Sequence, residues 1–172
     1  MTAGRARPRP AWRRRSWLRA GLVFLAGMWG LVGAIQLLLP RVFFDDFPAP
    51  GHPWVAMLPP YNEHLMRDVG ALVLANALVL AVAAVSMERN LARTALAANL
   101  VWSVPHLAFH ASHVGHYPPV DAVAQTASLA LGVALPAVLL VAAWLDPPPG
   151  ARPGVPDERP GVSDERSGVS GA

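Results

Sequence analysis

Four runs of this chain, each close to twenty residues long, contain no charged side chain: 20–39, 69–87, 94–112 and 122–145. A helix needs about 20 mostly apolar residues, rising about 1.5 Å each, to cross about 30 Å of hydrocarbon. Each run meets that length. A soluble helical bundle would carry a polar stripe along every helix, and no such stripe is evident across these runs. The expected fold is therefore all-α, an integral membrane antiparallel four-helix bundle. Residues 20–145 form the transmembrane domain, with an outer loop at 40–68, a basic arm at 1–19 and a low-complexity tail at 146–172.

Charge placement sets the expected orientation. All 14 basic residues are arginines, and seven of them lie in the arm before residue 20. Arg89 and Arg93 fall between the second and third runs, and Arg152, Arg159 and Arg166 in the tail. The other side holds Arg41 and Arg67 alone. By the positive-inside rule both termini are cytoplasmic, in a multi-pass protein of the bacterial plasma membrane. The stretch "RRRSWLR" resembles a twin-arginine export signal, yet the apolar run is longer than a signal core and no small-x-small cleavage site follows. It is expected to remain as an anchor. Nucleic acid is a poor partner for arginines that lead straight into a bilayer-grade helix. The tail repeats "RPGVPDE", "RPGVSDE" and "RSGVSGA" are rich in helix breakers, which predicts a disordered cytoplasmic segment.

Polar groups gather in the outer halves of these runs. The third carries Ser103 near its middle, then His106, His110 and, just past its end, His113; the fourth begins with Gln125, Thr126 and Ser128 after Asp121, while the inner halves are nearly all Ala, Leu and Val apart from Asn76 and Asn99. The second starts from "YNEHLMRD", which supplies Tyr61, Glu63, His64, Arg67 and Asp68. At about 100° per residue His106, His110 and His113 share one helix face. An unpaired polar group in hydrocarbon costs several kcal/mol, so these side chains should face one another or a wet cavity. One shared pocket open to the outside is expected, built from Tyr61, Glu63, His64, Arg67, Asp68, Trp102, His106, His110, His113 and Gln125. A hydrogen bond from Asp68 to His110 or His113 fits that geometry, as does an Arg67 pair with Glu63 or Asp121. Pro105 and Pro136 are expected to kink their helices. Gly27, Gly30 and Gly33, with Ala71, Ala75 and Ala77, are candidate close contacts between the first two spans.

Three elements, "FFDDFPAPGHPWV" (43–55), "YNEHLMRDVGA" (61–71) and "VPHLAFHASH" (104–113), resemble those of a group of uncharacterised actinobacterial small four-span membrane proteins. The layout is more distantly similar to the DoxX-like families. The likeness spans roughly residues 36–138 and implies the fold and the site map. It implies no reaction.

Function is bounded more by what is missing. The chain has no cysteine, hence no disulfide, thiolate site or cysteine nucleophile. No phosphate loop or nucleophile elbow is present, and Asp45 and Asp46 read as solvated loop carboxylates. Histidines four apart on a helix can share a divalent metal, with Asp68 completing a set of His106, His110 and Asp68. Haem is disfavoured, since a facing histidine at matching depth is wanting outside His52 and His64. The third option is a small amphiphile or quinone, its head on Arg67 and the histidines and its ring or chain beside Trp102 and Phe109. The leading expectation is a non-enzymatic accessory or small-molecule-binding or lipid-binding protein. The alternative is a metal-dependent or cofactor-dependent redox subunit using the histidines.

Overall fold

Pro40 redirects the first apolar run instead of ending it. In the computed structural model, which describes residues 11–58 and 60–145, α1 (Ala11–Leu38) stops one residue earlier and Leu39 breaks the helical geometry. Pro40 then occupies the first turn of α2 (Pro40–Asp46), where its missing N–H costs nothing. Two short strands, β1 (Pro48–Ala49) and β2 (His52–Pro53), pair antiparallel before α3 (Glu63–Ser86). Then come α4 (Arg89–Ser112), one 3-10 turn at Val114–His116, and α5 (Pro119–Trp144). The chain is mostly helical, in keeping with an all-α class. The arm up to residue 10 and the tail 146–172 lie outside the described residues.

Each helix outruns its apolar stretch, and local chemistry explains why. α1 is helical from Ala11, the first described residue, through Arg13, Arg14 and Arg15, arginine being a good helix former. Part of the expected arm is thus helical. α3 begins at Glu63, so "EHLMRD" forms its first turns and not loop: Asn62 caps it by accepting from the Leu65 amide at 3.0 Å. Glu88 caps α4 in the same way, accepting from the Asn90 and Leu91 amides at 3.0 and 2.6 Å. Pro105 and Pro136 both lie inside their helices.

Among the described residues, three helices are long and apolar enough to cross a membrane: Ser16–Leu38, Glu63–Ser86 and Pro119–Trp144. α4, the expected third span, is not among them. Its 24 residues suffice in length, but Arg89, Asn90, Arg93, Asn99 and its histidines lower its apolarity.

The four long helices pack mainly as two pairs, α1 with α3 and α4 with α5, joined through α3–α4 and α1–α5 contacts. The apolar core fills the half away from the hairpin, with Leu22, Leu25, Leu80, Ala95, Leu96 and Leu139 at 0–3 % exposure. Toward the hairpin, α1 and α3 meet at Gly33 and Gly70. A Cβ on Gly70 would lie 2.6 Å from the Leu37 amide nitrogen, and one on Gly33 would lie 2.9 Å from the Gly70 carbonyl. Of the small residues expected at this contact, a Cβ on Gly27 would meet nothing within 4 Å, and Ala71 and Ala75 are exposed. Gly27 instead borders an open groove of about 400 Å³ between α1 and α3.

An arginine ties each pair at a helix C-terminus. Arg67 of α3 donates to the Leu37 carbonyl at 2.7 Å. Arg93 of α4 donates to the Ala143 carbonyl at 3.0 Å and lies over the Trp144 ring, 4.0 Å from its centroid. Both cations sit where the helix dipole is negative and the last carbonyls lack partners.

Candidate functional site

Asn99, Ser103, His106 and His110 follow one another at spacings of four, three and four, so α4 presents them in a single stripe. Asn99 is fully buried, Ser103 is 5 % exposed, and the two histidines are half-buried. The stripe descends from the hairpin end of α4 to the middle of the helix. Below it Leu96, Ala95 and Ala92 close the path with apolar core. Aromatic rings line its side. Trp102 stacks on His106 at 4.7 Å between centroids and meets the Trp29 edge at 4.7 Å, while His106 touches His110 ring to ring at 4.6 Å.

α5 faces this stripe with Gln125, and Thr126 follows it with a buried hydroxyl. The Gln125 side chain, 2 % exposed, lies beside His110 and Tyr117 without reaching hydrogen-bond geometry to either. Five side chains here hold buried atoms with no hydrogen-bond partner in the structure: Trp29 Nε1, both polar atoms of Asn99, Ser103 Oγ, Gln125 Oε1 and Thr126 Oγ1. Buried polar groups are paired in the great majority of cases. Their occurrence together on α1, α4 and α5 is therefore the feature to explain.

The hairpin closes the top. Asp121, at the start of α5 and 6 % exposed, accepts from His52 Nδ1 at 2.7 Å and from Trp54 Nε1 at 3.0 Å through one carboxylate oxygen. Tyr117 donates to the Trp54 carbonyl at 3.0 Å, and its oxygen lies 3.4 Å from His110 Nδ1. Burial pushes the Tyr117 phenol up from its ordinary value, with the Gln125 contact opposing, so it stays a neutral donor in the physiological range. The hairpin, Tyr117, His110 and the stripe are thus contiguous.

The single pocket expected from sequence divides into two groups. Trp102, His106, His110 and Gln125 come together as described. Tyr61, Glu63, His64, Arg67 and Asp68 form a separate surface group at the start of α3. Arg67 pairs with Glu63 at 2.8 Å, and His64 lies 3.2 Å from Asp68 with the two side chains 89 % and 58 % exposed. Tyr61 packs on Phe44, with the Arg41 guanidinium over its ring. His113 turns back on its own helix, its Nδ1 2.7 Å from the Phe109 carbonyl.

The set of His106, His110 and Asp68 is consequently not assembled: helix spacing gives Asp68 to His64, on another face. Among the described residues no three His, Asp or Glu side chains are grouped to hold a metal ion. The residues that sequence reasoning left out of the expected pocket are Trp29, Trp54, Asn99, Ser103, Tyr117, Asp121 and Thr126. A lone acid opening an otherwise apolar helix was the available signal for Asp121, since a carboxylate there must find donors. Nothing local marks Trp54, because its partner lies 67 residues away.

Comparison with known proteins gives no match: no family model, no curated protein and no solved structure aligns with the chain.

Proposed function

We propose that this is a four-span protein of the bacterial plasma membrane, both termini cytoplasmic, whose outward hairpin end covers a site for the polar head of a small amphiphile. Three helices able to cross a bilayer support the membrane reading. The fourth crossing is α4. Its lower apolarity comes partly from Asn99 and Ser103, which are turned into the protein, where lipid never meets them. The arginine distribution supports the orientation.

One observation carries the site: the unpartnered buried polar atoms of Asn99, Ser103, Gln125 and Thr126 beside the His106–His110 pair. A polar cluster of that kind in hydrocarbon is maintained at a cost of several kcal/mol and is a functional site by default. The aromatic wall of Trp29 and Trp102 supplies an apolar surface next to it. Accessory binding, without chemistry of its own, is the role that this set of uncharged groups supports.

The test has two arms. Because the chain has no cysteine, single cysteines at Ala49 and Ser163 report sidedness with an impermeant maleimide on intact cells. Ala49→Cys is expected to label and Ser163→Cys to label only after lysis; the reverse pattern refutes the orientation. Mass spectrometry of gently purified protein is expected to find a copurified amphiphile that is lost from a Ser103→Ala/Thr126→Val variant. Equal retention by that variant removes the site.

A further inference from the structure

We infer that the site selects an uncharged head group bearing carbonyl and hydroxyl oxygens on a flat ring, the quinone–quinol class, over phosphate, carboxylate or ammonium heads. This rests on the binding-site reading above and adds the chemistry of the ligand. The unpartnered atoms are all uncharged, and they divide between the two hydrogen-bonding roles. Trp29 Nε1 and Asn99 Nδ2 can only donate, Asn99 Oδ1 and Gln125 Oε1 can only accept, and the Ser103 and Thr126 hydroxyls do both. A ligand satisfying them must offer acceptors and donors together. A carbonyl and a hydroxyl on one head do so.

Charge complementarity points the same way. Asp121 is the one buried carboxylate among the described residues, and its interacting oxygen is already engaged by His52 and Trp54. Arg67, the arginine closest in sequence logic to a head group, is taken by Glu63 and the Leu37 carbonyl. Arg41 is paired with Asp45. A cationic head would therefore meet only a carboxylate that already accepts two hydrogen bonds. An anionic head would require a proton on His106 or His110, whose rings touch each other with no carboxylate beside them. Burying an ion without a counter-charge is far costlier than burying a hydrogen-bonded neutral group. The Trp29–Trp102–His106 series adds aromatic rings, packed against one another, beside Ser103 on the same stripe.

Calorimetric titration of the full chain in neutral detergent separates the outcomes. The probes are a short-chain benzoquinone, its quinol, an alkyl phosphate and an alkyl trimethylammonium of matched tail length. The quinone or quinol is expected to bind at least tenfold tighter than either charged probe. Ser103→Ala and Thr126→Val should each weaken it by about three- to tenfold, the effect of one lost hydrogen bond. Thermal melting confirms that each variant is folded. Charged probes that bind as tightly, with the same dependence on Ser103 and Thr126, would overturn the inference while leaving the site in place. Binding of the neutral probes that neither variant changes would also overturn it. Should no probe bind while the amphiphile still copurifies in the manner expected above, the head-group class is wrong and the binding site is not.

Discussion

His52 and Asp121 are 69 residues apart in sequence and 2.7 Å apart in space. With Trp54 donating to the same carboxylate oxygen, this contact fixes the hairpin against the start of α5 and places a wall over His110. The arrangement is asymmetric. Asp121 is buried, whereas the His52 side chain is 53 % exposed. Trp54 and Asp121 therefore hold the contact, and His52 adds to it through solvent-screened attraction.

Asp121→Ala is accordingly expected to release the hairpin without unfolding the helices. Hydrogen bonds to a charged acceptor are worth about 1.5–3 kcal/mol each, and truncation leaves the Trp54 N–H without its partner. Amide exchange in residues 47–58 should accelerate by roughly tenfold or more, since each 1.4 kcal/mol is about a factor of ten. His52→Ala should cost less than about 1 kcal/mol, because its half of the pair is exposed. Equal effects of the two substitutions would contradict this division.

Gly70→Ala is expected to separate α1 from α3 at the hairpin end. The added methyl would meet the Leu37 backbone at 2.6 Å, and backbone cannot swing aside as a side-chain tip can. Overpacking of this kind costs about 1–3 kcal/mol. Gly27→Ala is the internal control, having open space around it. Thermal melting in detergent should lower the midpoint for the first and leave the second unchanged or slightly raised, alanine being the better helix former.

Acid should weaken the α3–α4 turn through Glu88. The Asn90 and Leu91 amides that donate to its carboxylate hold it below the ordinary glutamate range. A carboxyl with a lowered folded-state pKa stabilises above its unfolded pKa, and that contribution is lost as pH falls through the folded value. Glu88→Gln should therefore be less stable than the parent at neutral pH and converge with it in strong acid. Melting curves of both proteins across that range test the sign: a gap that widens on acidification would refute the capping role.

Periodicity and charge made the helices legible, because apolar run length and the placement of arginines are local properties. Helix ends were harder. Asn62 and Glu88 each carry a cap that lengthens a helix past its apolar stretch, and a hydropathy reading passes over caps. The histidine stripe was visible from spacing on one helix. Its partners were only half visible: Gln125 was found at the level expected of an antiparallel neighbour, but Asp68 was assigned to the stripe by depth alone. Depth does not fix the face. Four-residue spacing on α3 already gave Asp68 to His64, and that local pairing decides where the carboxylate points. Trp54 and Tyr117 depend on how the hairpin folds over the α4–α5 end, which no periodicity encodes.

Asn99 allows stability and binding to be set against each other. It is fully buried near the middle of α4, and neither polar atom of its amide has a partner. Leaving such a group unpaired costs about 1–3 kcal/mol by mutational estimates. Asn99→Leu, of similar size, removes that cost and extends the apolar core of Leu96 and Ala95 upward by one turn. The ligand-free variant is expected to melt higher than the parent by an amount corresponding to about 1–3 kcal/mol. The same change takes away a donor and an acceptor from the head-group site, so retention of the copurified amphiphile should fall. Both movements are needed. A variant that gains stability and keeps its amphiphile would make Asn99 a passive flaw in the core, and one that loses both would make the amide part of the packing. Only higher stability with weaker binding fits an asparagine kept buried for a ligand.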